Sequence, residues 1–222
     1  MSDDGVDQQQ FTLTQKQYLA GLDFFAWTRH YHVIKDLLAR VDGDVFEVGT
    51  GDGVVRRCIE PFVRRYAVMD LNPHLKPEVQ GNLLEPQPQL AGRFDAAVCT
   101  EVLEHVPFEH FATGMANLAA VLRDGGLLFL TVPHRKGHLL VVTPRQHLRT
   151  WRFPFGTTSW SEAYNRFVRR RIWIDPNHCW EIGDGRVTRS MVERSLSAQG
   201  FATESFAALP YCDYWVLRKS RA

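Results

Sequence analysis

Cysteine is scarce in this chain, and its placement suits no shared task. The 222 residues carry only Cys58, Cys99, Cys179 and Cys212, with no C-x-x-C pair among them. That spacing excludes a disulfide framework and a cysteine-rich zinc site, and it fits a reducing, cytoplasmic setting. Long apolar runs are missing too. None reaches the roughly eighteen residues that a spanning helix needs, so no membrane span is expected. An excess of one charge is absent: 26 Lys and Arg face 25 Asp and Glu, which argues against a bulk electrostatic partner such as DNA. The opening MSDDGVDQQQ lacks the basic-then-apolar order of an export signal and is predicted to be a disordered tail. There is no internal repeat.

What the chain does have is 45% hydrophobic residues and 12% aromatics, enough to bury one sizeable core, so residues 1–222 are expected to form a single domain. Between Thr14 and Val41, apolar residues such as Tyr18, Leu22, Phe25, Ile34 and Leu38 recur at three- and four-residue steps, which predicts one or two amphipathic helices. Short apolar strands follow: DVFEV before a glycine-rich turn, RRYAVMD, FDAAVCT and GGLLFLTVP, with a helical stretch over 108–122. Near the end, GRVTRSMVERSLSAQG predicts a helix stopped by Gly200, and FATESFAAL and YCDYWVLRK predict two strands joined across a proline-containing turn. Bounded apolar strands alternating with helices indicate an α/β fold with a parallel sheet covered on both faces. Residues 134–180 depart from that rhythm.

In EVGTGDGVV the glycines Gly49, Gly51 and Gly53 fall at every second position after Glu47. A dinucleotide fingerprint needs its third glycine one place later, where Val54 stands, so nicotinamide binding is disfavoured. The loop still suits a ligand lying close to backbone at the carboxyl end of a strand. Asp70 ends the next strand, where a carboxylate can accept both hydroxyls of a ribose. On these motifs, together with VMDLNP, GNLLE (81–85), FDAAVCTEVLEHVP and VLRDGGLLFLTVP in that order, the chain resembles the class I S-adenosylmethionine-dependent methyltransferases. The resemblance implies a doubly wound, seven-stranded Rossmann-like sheet with its last strand antiparallel. It also implies a cofactor-binding set of Glu47, Gly49, Gly51, Gly53, Asp70, Asn82, Leu83 and Thr100. Asn82 stands where such proteins often have Asp; its amide oxygen can still accept from the adenine amino group.

After the fourth strand comes TEVLEHVP. A helix beginning near Glu101 would place Glu101, Glu104 and His105 at i, i+3 and i+4 on one face. Acids in a first helical turn are stabilised by the helix dipole without any metal, so a metal-free charged turn stays open. Downstream, DPNHCWEIG supplies His178 as a fourth donor. E-x-x-E-H followed by H-x-W-E resembles the ubiquinone-pathway O-methyltransferases, and E-x-x-E-H with a later His resembles the small-RNA 3′-terminal 2′-O-methyltransferases. The resemblance implies a metal set of Glu101, Glu104, His105 and His178, suited to Mg, with Mn or Zn as alternatives. A cation activates an alcohol oxygen, which points to O-methylation, with His105 and Glu104 catalytic. His134 and His138 are expected to be solvated loop residues.

The resemblance divides the chain into tail and lid helices (1–41), a cofactor-binding core (42–133), an acceptor-binding insertion (134–180) and a terminal helix and strand pair (181–222). From 134 to 171 the insertion holds Arg135, Lys136, Arg145, Arg149, Arg152, Arg166, Arg169, Arg170 and Arg171 against one acid, Glu162. Trp151, Phe153, Phe155, Trp160, Tyr164 and Trp173 interleave with them. Ring stacking on a saccharide, an RNA end, or a membrane-embedded quinone would each use such residues. So would a homodimer interface. The compact length and NHCWEIG also resemble bacterial enzymes that methylate saccharide hydroxyls, so a small-molecule or oligosaccharide acceptor is expected. Alternatives are metal-free methylation of a quinol, phenol or other hydroxyl, RNA 3′-end methylation, and a cofactor-binding regulatory module. The N-terminal helix, with Tyr18, Trp27, Arg29 and His30, is expected to cover the cofactor, and Arg29 either meets its methionyl carboxylate or lies on the surface.

Overall fold

Strands that are apolar at nearly every position must be covered on both sides, and that requirement organises this chain. The computed structural model describes residues 12–142, 148–153, 160–169 and 172–221. The expected tail, and Arg145, Phe155, Arg170 and Arg171, lie outside the described residues, as do the side chains of Arg149, Arg152, Phe153, Glu162 and Arg166.

Helices α1 (Gln15–Ala20) and α2 (Phe24–Arg40) precede β1 (Asp44–Val48), α3 (Val54–Ile59), β2 (Arg65–Asp70), the two-residue β3 (Val79–Gln80) and β4 (Phe94–Thr100). Then come α4 (Phe111–Val121), β5 (Leu122–Pro133), β6 (Gly137–Val142), β7 (Leu148–Phe153), α5 (Trp160–Phe167), α6 (Arg189–Ala198), β8 (Phe201–Ala208) and β9 (Cys212–Lys219). Seven strands form one sheet in the order β3-β2-β1-β4-β5-β9-β8, parallel except for β9, which runs antiparallel to both neighbours. The expected doubly wound sheet is therefore present, with a third strand too short to register as a periodic run. Strands β6 and β7 make a separate antiparallel hairpin inside the insertion.

Alternate residues of each central strand serve different cores. Along β4, Ala97 and Cys99 join Phe46, Phe111, Leu118 and Trp180 on the α4 and α6 side. Ala96 and Val98 join Val33, Leu37, Ile59 and Phe129 on the α2 and α3 side. Helix α2 docks by His30, Val33 and Leu37, one residue per turn, and leaves Phe24, Trp27 and Tyr31 largely exposed. Among the described residues no helix is long and apolar enough to cross a membrane.

The chain leaves this core after β5 and returns before α6 through a hydrogen-bonded neck. The Ile182 amide donates to the Pro133 carbonyl at 3.0 Å, and the Arg135 amide donates to Ile182 at 2.9 Å. Beside it lies a buried ion pair: Arg189 Nε and Nη2 donate to the two oxygens of Asp213, at 2.6 and 2.7 Å. Asp213 is fully buried, and breaking such a pair from one side leaves an uncompensated charge. Arg189→Met is therefore expected to destabilise the fold by about 3–5 kcal/mol. The double variant Arg189→Met/Asp213→Leu should recover much of that loss, which urea unfolding of the two proteins would measure.

Candidate functional site

The parallel strands end along one edge, and the loops there bring the sequence motifs together. The turn after β1 is left-handed at Gly49 (φ 75°), Gly51 (φ 44°) and Gly53 (φ 68°), a conformation that costs glycine least. Space adds a second demand: a Cβ at Gly49 would lie 2.5 Å from Val102 Cγ2, so the glycine loop packs directly on the acidic motif. Glu47 points to the α2 and α3 side of β1 and is buried, accepting from Thr50 Oγ1 at 3.3 Å. Burial pushes its carboxyl up to about 8.

Asp70 ends β2, as expected, and shapes the loop beside it. Its Oδ2 accepts from the Thr50 amide at 3.0 Å and its Oδ1 from the Asn72 amide at 2.8 Å. The Gly51 and Leu71 amides also lie against this carboxylate, and burial nevertheless raises its pKa. Asn82 Oδ1, expected to face an adenine amino group, accepts from the Leu84 amide at 2.9 Å. The Leu83 carbonyl accepts from Asn117 Nδ2 at 2.8 Å, which fixes this turn against α4. Thr100, half-buried, closes β4 opposite Thr131.

The N-terminal segment folds over the glycine loop. Tyr18 of α1 lies 3.8 Å from where a Cβ of Gly51 would sit, and the Leu13 carbonyl accepts from Asn72 Nδ2 at 2.7 Å. On α2, His30 Nε2 is 3.1 Å from Asp52 Oδ2 in a buried contact. Burial works against the Asp52 charge, but His30, the Val54 amide and Arg29 together outweigh it and hold the carboxyl below its ordinary range. Arg29 approaches Glu101 Oε2 at 4.0 Å, and its Nε is buried without a hydrogen-bond partner. Trp27, 53% exposed, meets the His30 ring edge-on with centroids 6.1 Å apart.

The acidic motif is where the structure departs most from the expected geometry. No α-helix starts at Glu101. Instead Glu101 is left-handed (φ 55°), Leu103–His105 form a single 3-10 turn, and Val106 is extended. Pro107 accounts for the extended Val106 and so for the end of the turn, because the residue before a proline is driven out of the helical region. Glu101, Glu104 and His105 consequently do not share one helical face. Glu104, His105 and His178 converge instead, with one ligand atom of each lying within 4.8 Å of the others. Glu101 falls outside that group. It accepts from Thr131 Oγ1 at 2.8 Å and faces Arg29.

The convergent three are prepared in a particular way. Glu104 is wholly buried, and neither of its oxygens has a hydrogen-bond partner. Burial, then the charge of Glu101, drives its carboxyl well above the ordinary range. His105 Nδ1 donates to the Asn177 carbonyl at 2.9 Å, and burial lowers its pKa, so the ring is neutral with Nε2 as its lone-pair nitrogen. His178 Nδ1 donates to Glu181 Oε1 at 3.0 Å, which turns its Nε2 away from that carboxylate. Anchored Nδ1 atoms of this kind orient imidazoles for a metal. The arrangement fits a divalent cation, with Glu104 its one direct negative charge.

Glu181 was missed by sequence reasoning, although the W-E pair three residues after His178 was its signal. It is buried, accepts from the Asp175 amide at 2.9 Å and faces Arg135 Nη1 at 3.6 Å. The Arg135 guanidinium in turn lies over the ring of Trp173, 5.1 Å from its centroid. His134 corrects a further expectation. It is buried rather than solvated, because its Nε2 donates to the Leu209 carbonyl at 2.9 Å and its Nδ1 accepts from the Lys136 amide at 3.1 Å. His138, half-buried, stacks on it.

Comparison with known proteins agrees with this layout. A family described as a methyltransferase domain matches residues 24–201. A ubiquinone biosynthesis O-methyltransferase from Xanthomonas axonopodis pv. citri (strain 306) is 30% identical over 105 residues, 41% of this chain. The match spans only 43% of that relative's length. The N-methyltransferase NodS from Bradyrhizobium japonicum WM9, solved with S-adenosylhomocysteine, superposes with a TM-score of 0.59 at 16% identity, covering 92% of this chain and 96% of that one. The 1,6-didemethyltoxoflavin N1-methyltransferase of Burkholderia thailandensis, solved with 1,6-didemethyltoxoflavin and S-adenosylhomocysteine, gives 0.56 at 17% identity, covering 87% and 80%. At such identities the likeness is one of fold.

Glu47 gives the site a measurable signature. The folded chain keeps its proton to about 8, whereas the unfolded chain releases it near 4.5. Folding therefore binds a proton in that window, and stability falls as pH rises through it, by up to about 1.4 kcal/mol per pH unit. Glu47→Gln, which stays neutral, is expected to flatten this slope in urea unfolding of the ligand-free protein at about pH 5 and about pH 8.

Proposed function

The chain belongs to the methyltransferase-domain family, and from that premise we propose that it is an O-methyltransferase using S-adenosylmethionine. The acceptor is a saccharide hydroxyl, and a divalent cation, Mg before Mn or Zn, is held by Glu104, His105 and His178. The observation that carries this reading is Glu104. A buried carboxylate with no donor on either oxygen is costly unless a positive charge meets it, and the two nearest imidazoles present lone pairs beside it. Hard carboxylate and imidazole donors with no thiolate among them suit Mg, Mn or Zn.

When bound, the sulfonium supplies an already activated methyl group, and the cation lowers the pKa of an alcohol and orients it. The protein's own residues do the rest. Gly49, Gly51 and Gly53 let the methionyl chain lie against backbone, with the buried Arg29 guanidinium answering its carboxylate. Asp70 takes the ribose hydroxyls, while Asn82 and Leu83 border the adenine. Glu47 and Thr100 close the floor between them. With His105 and His178 committed to the cation, Glu101 is the neighbouring carboxylate able to accept the hydroxyl proton, and Thr131 steadies it. Acceptor binding falls to the exposed rings of the insertion. Trp173, 59% exposed, connects through Arg135 and Glu181 to His178. A phenolic or quinol hydroxyl is the second reading, favoured by the ubiquinone-pathway relative.

Chelation should abolish methyl transfer to methyl α-mannoside, and added Mg should restore it. Glu104→Gln and His178→Ala are each expected to lower kcat by at least about 100-fold, or about 2.7 kcal/mol. Calorimetry should show S-adenosylhomocysteine affinity within about twofold of the parent protein. Full turnover after rigorous chelation would remove the cation from the mechanism. Turnover of catechol alone would replace the saccharide with a phenol.

A further inference from the structure

Three non-glycine residues among those described have left-handed backbone: Lys76, Glu101 and Tyr211. Lys76 caps a short turn on the surface. The other two lie near enough for the Glu101 charge to act on Tyr211, and for a residue as bulky as tyrosine, φ 82° is a strained state costing on the order of 1–3 kcal/mol. Its surroundings hold it there. The Tyr211 carbonyl accepts from the His134 amide at 2.7 Å, the Leu209 amide donates to Cys212 at 2.8 Å, and the buried His134 ring grips the Leu209 carbonyl. A glycine would adopt this turn at less cost. What tyrosine adds is a ring and a hydroxyl.

Both have a direction. The ring stacks on Phe25 of α2, with centroids 6.4 Å apart and planes at 29°. One helical turn further on, Arg29 faces Glu101, so a single face of α2 sets Tyr211 beside Glu101. Burial, and then the charges of Glu101, Glu181, Glu104 and Asp175, push the phenol well above its ordinary pKa, so it is a neutral donor. Yet among the described residues nothing is hydrogen-bonded to that hydroxyl. The neighbouring Tyr214 hydroxyl, by contrast, donates to Asp36 at 2.9 Å.

We propose that Tyr211 belongs to the acceptor site: the strained turn presents its hydroxyl beside Glu101, where it donates a hydrogen bond to the hydroxylated acceptor and positions it. This rests on the O-methyltransferase reading. Tyr211→Phe keeps the ring, the stacking and the turn while removing the donor. Against whichever of methyl α-mannoside, catechol and an RNA oligonucleotide with a free 3′ end the parent protein methylates, KM should rise about tenfold, the worth of one hydrogen bond. The thermal midpoint and S-adenosylhomocysteine affinity should be unchanged. Tyr211→Gly should lose acceptor turnover as well while still binding S-adenosylhomocysteine. If the parent protein methylates one of these acceptors and Tyr211→Phe matches it in both KM and kcat, the assignment of Tyr211 falls alone. A drop in the midpoint of Tyr211→Phe that accounts for its lost activity would make the hydroxyl structural and overturn the assignment. If the parent protein methylates none of the three, the O-methyltransferase reading falls and takes this one with it.

Discussion

Burying a carboxylate costs several kcal/mol unless something positive or protic accompanies it, and Glu104 is buried completely with neither. The rest of the site is arranged around holding that group in place. Backbone laces the acidic turn to the distant His178 segment: the Cys179 amide donates to the Glu104 carbonyl at 2.7 Å, and Trp180 Nε1 donates to Val106 at 3.0 Å. Trp180 then anchors the joint in the core against Phe108 and Phe111. The geometry of the three donors is thus fixed by core packing, and only their chemistry faces the edge of the sheet.

The same edge gathers Glu47, Asp52, Asp70, Glu101 and Glu181. Against them stand Arg29, Arg135 and the imidazoles, so acids outnumber bases here, and burial pushes the Glu47 and Glu101 carboxyls toward their neutral forms. A sulfonium and a divalent cation are both positive, so each would relieve this imbalance on binding. Charge complementarity of this kind also draws such ligands in from solution.

The sheet was legible because buried strands are apolar throughout and helices repeat every three to four residues. The strand pair β8 and β9 and the stop at Gly200 were legible for the same local reasons. Tertiary placement was less so. The spacing of Glu101, Glu104 and His105 is helical in sequence, yet Pro107 forbids the helix, and that proline was visible in the same stretch. The partnership of His105 with His178 spans 72 intervening positions of chain and followed from family resemblance, since no local pattern encodes it. His134 follows a strand, a position that suggests a solvated residue, but the β8–β9 turn covers it. The hairpin of β6 and β7 is not legible because two six-residue runs of mixed apolar character do not distinguish strand from helix.

The neck at Pro133, Arg135 and Ile182 separates two kinds of sequence. His178 and Glu181 sit within a few residues of it on the returning side, while the hairpin and α5 lie beyond it. The stretch that brings His178 to Glu104 and His105 is therefore stitched to the sheet, and the hairpin hangs from a closed loop. Lengthening such a loop carries only a small entropic charge, about 0.6 kcal/mol per doubling. Segments of other length and shape can be grafted in place of the hairpin and α5 without disturbing Glu104, His105 and His178, so this stretch is free to vary where the sheet edge is not.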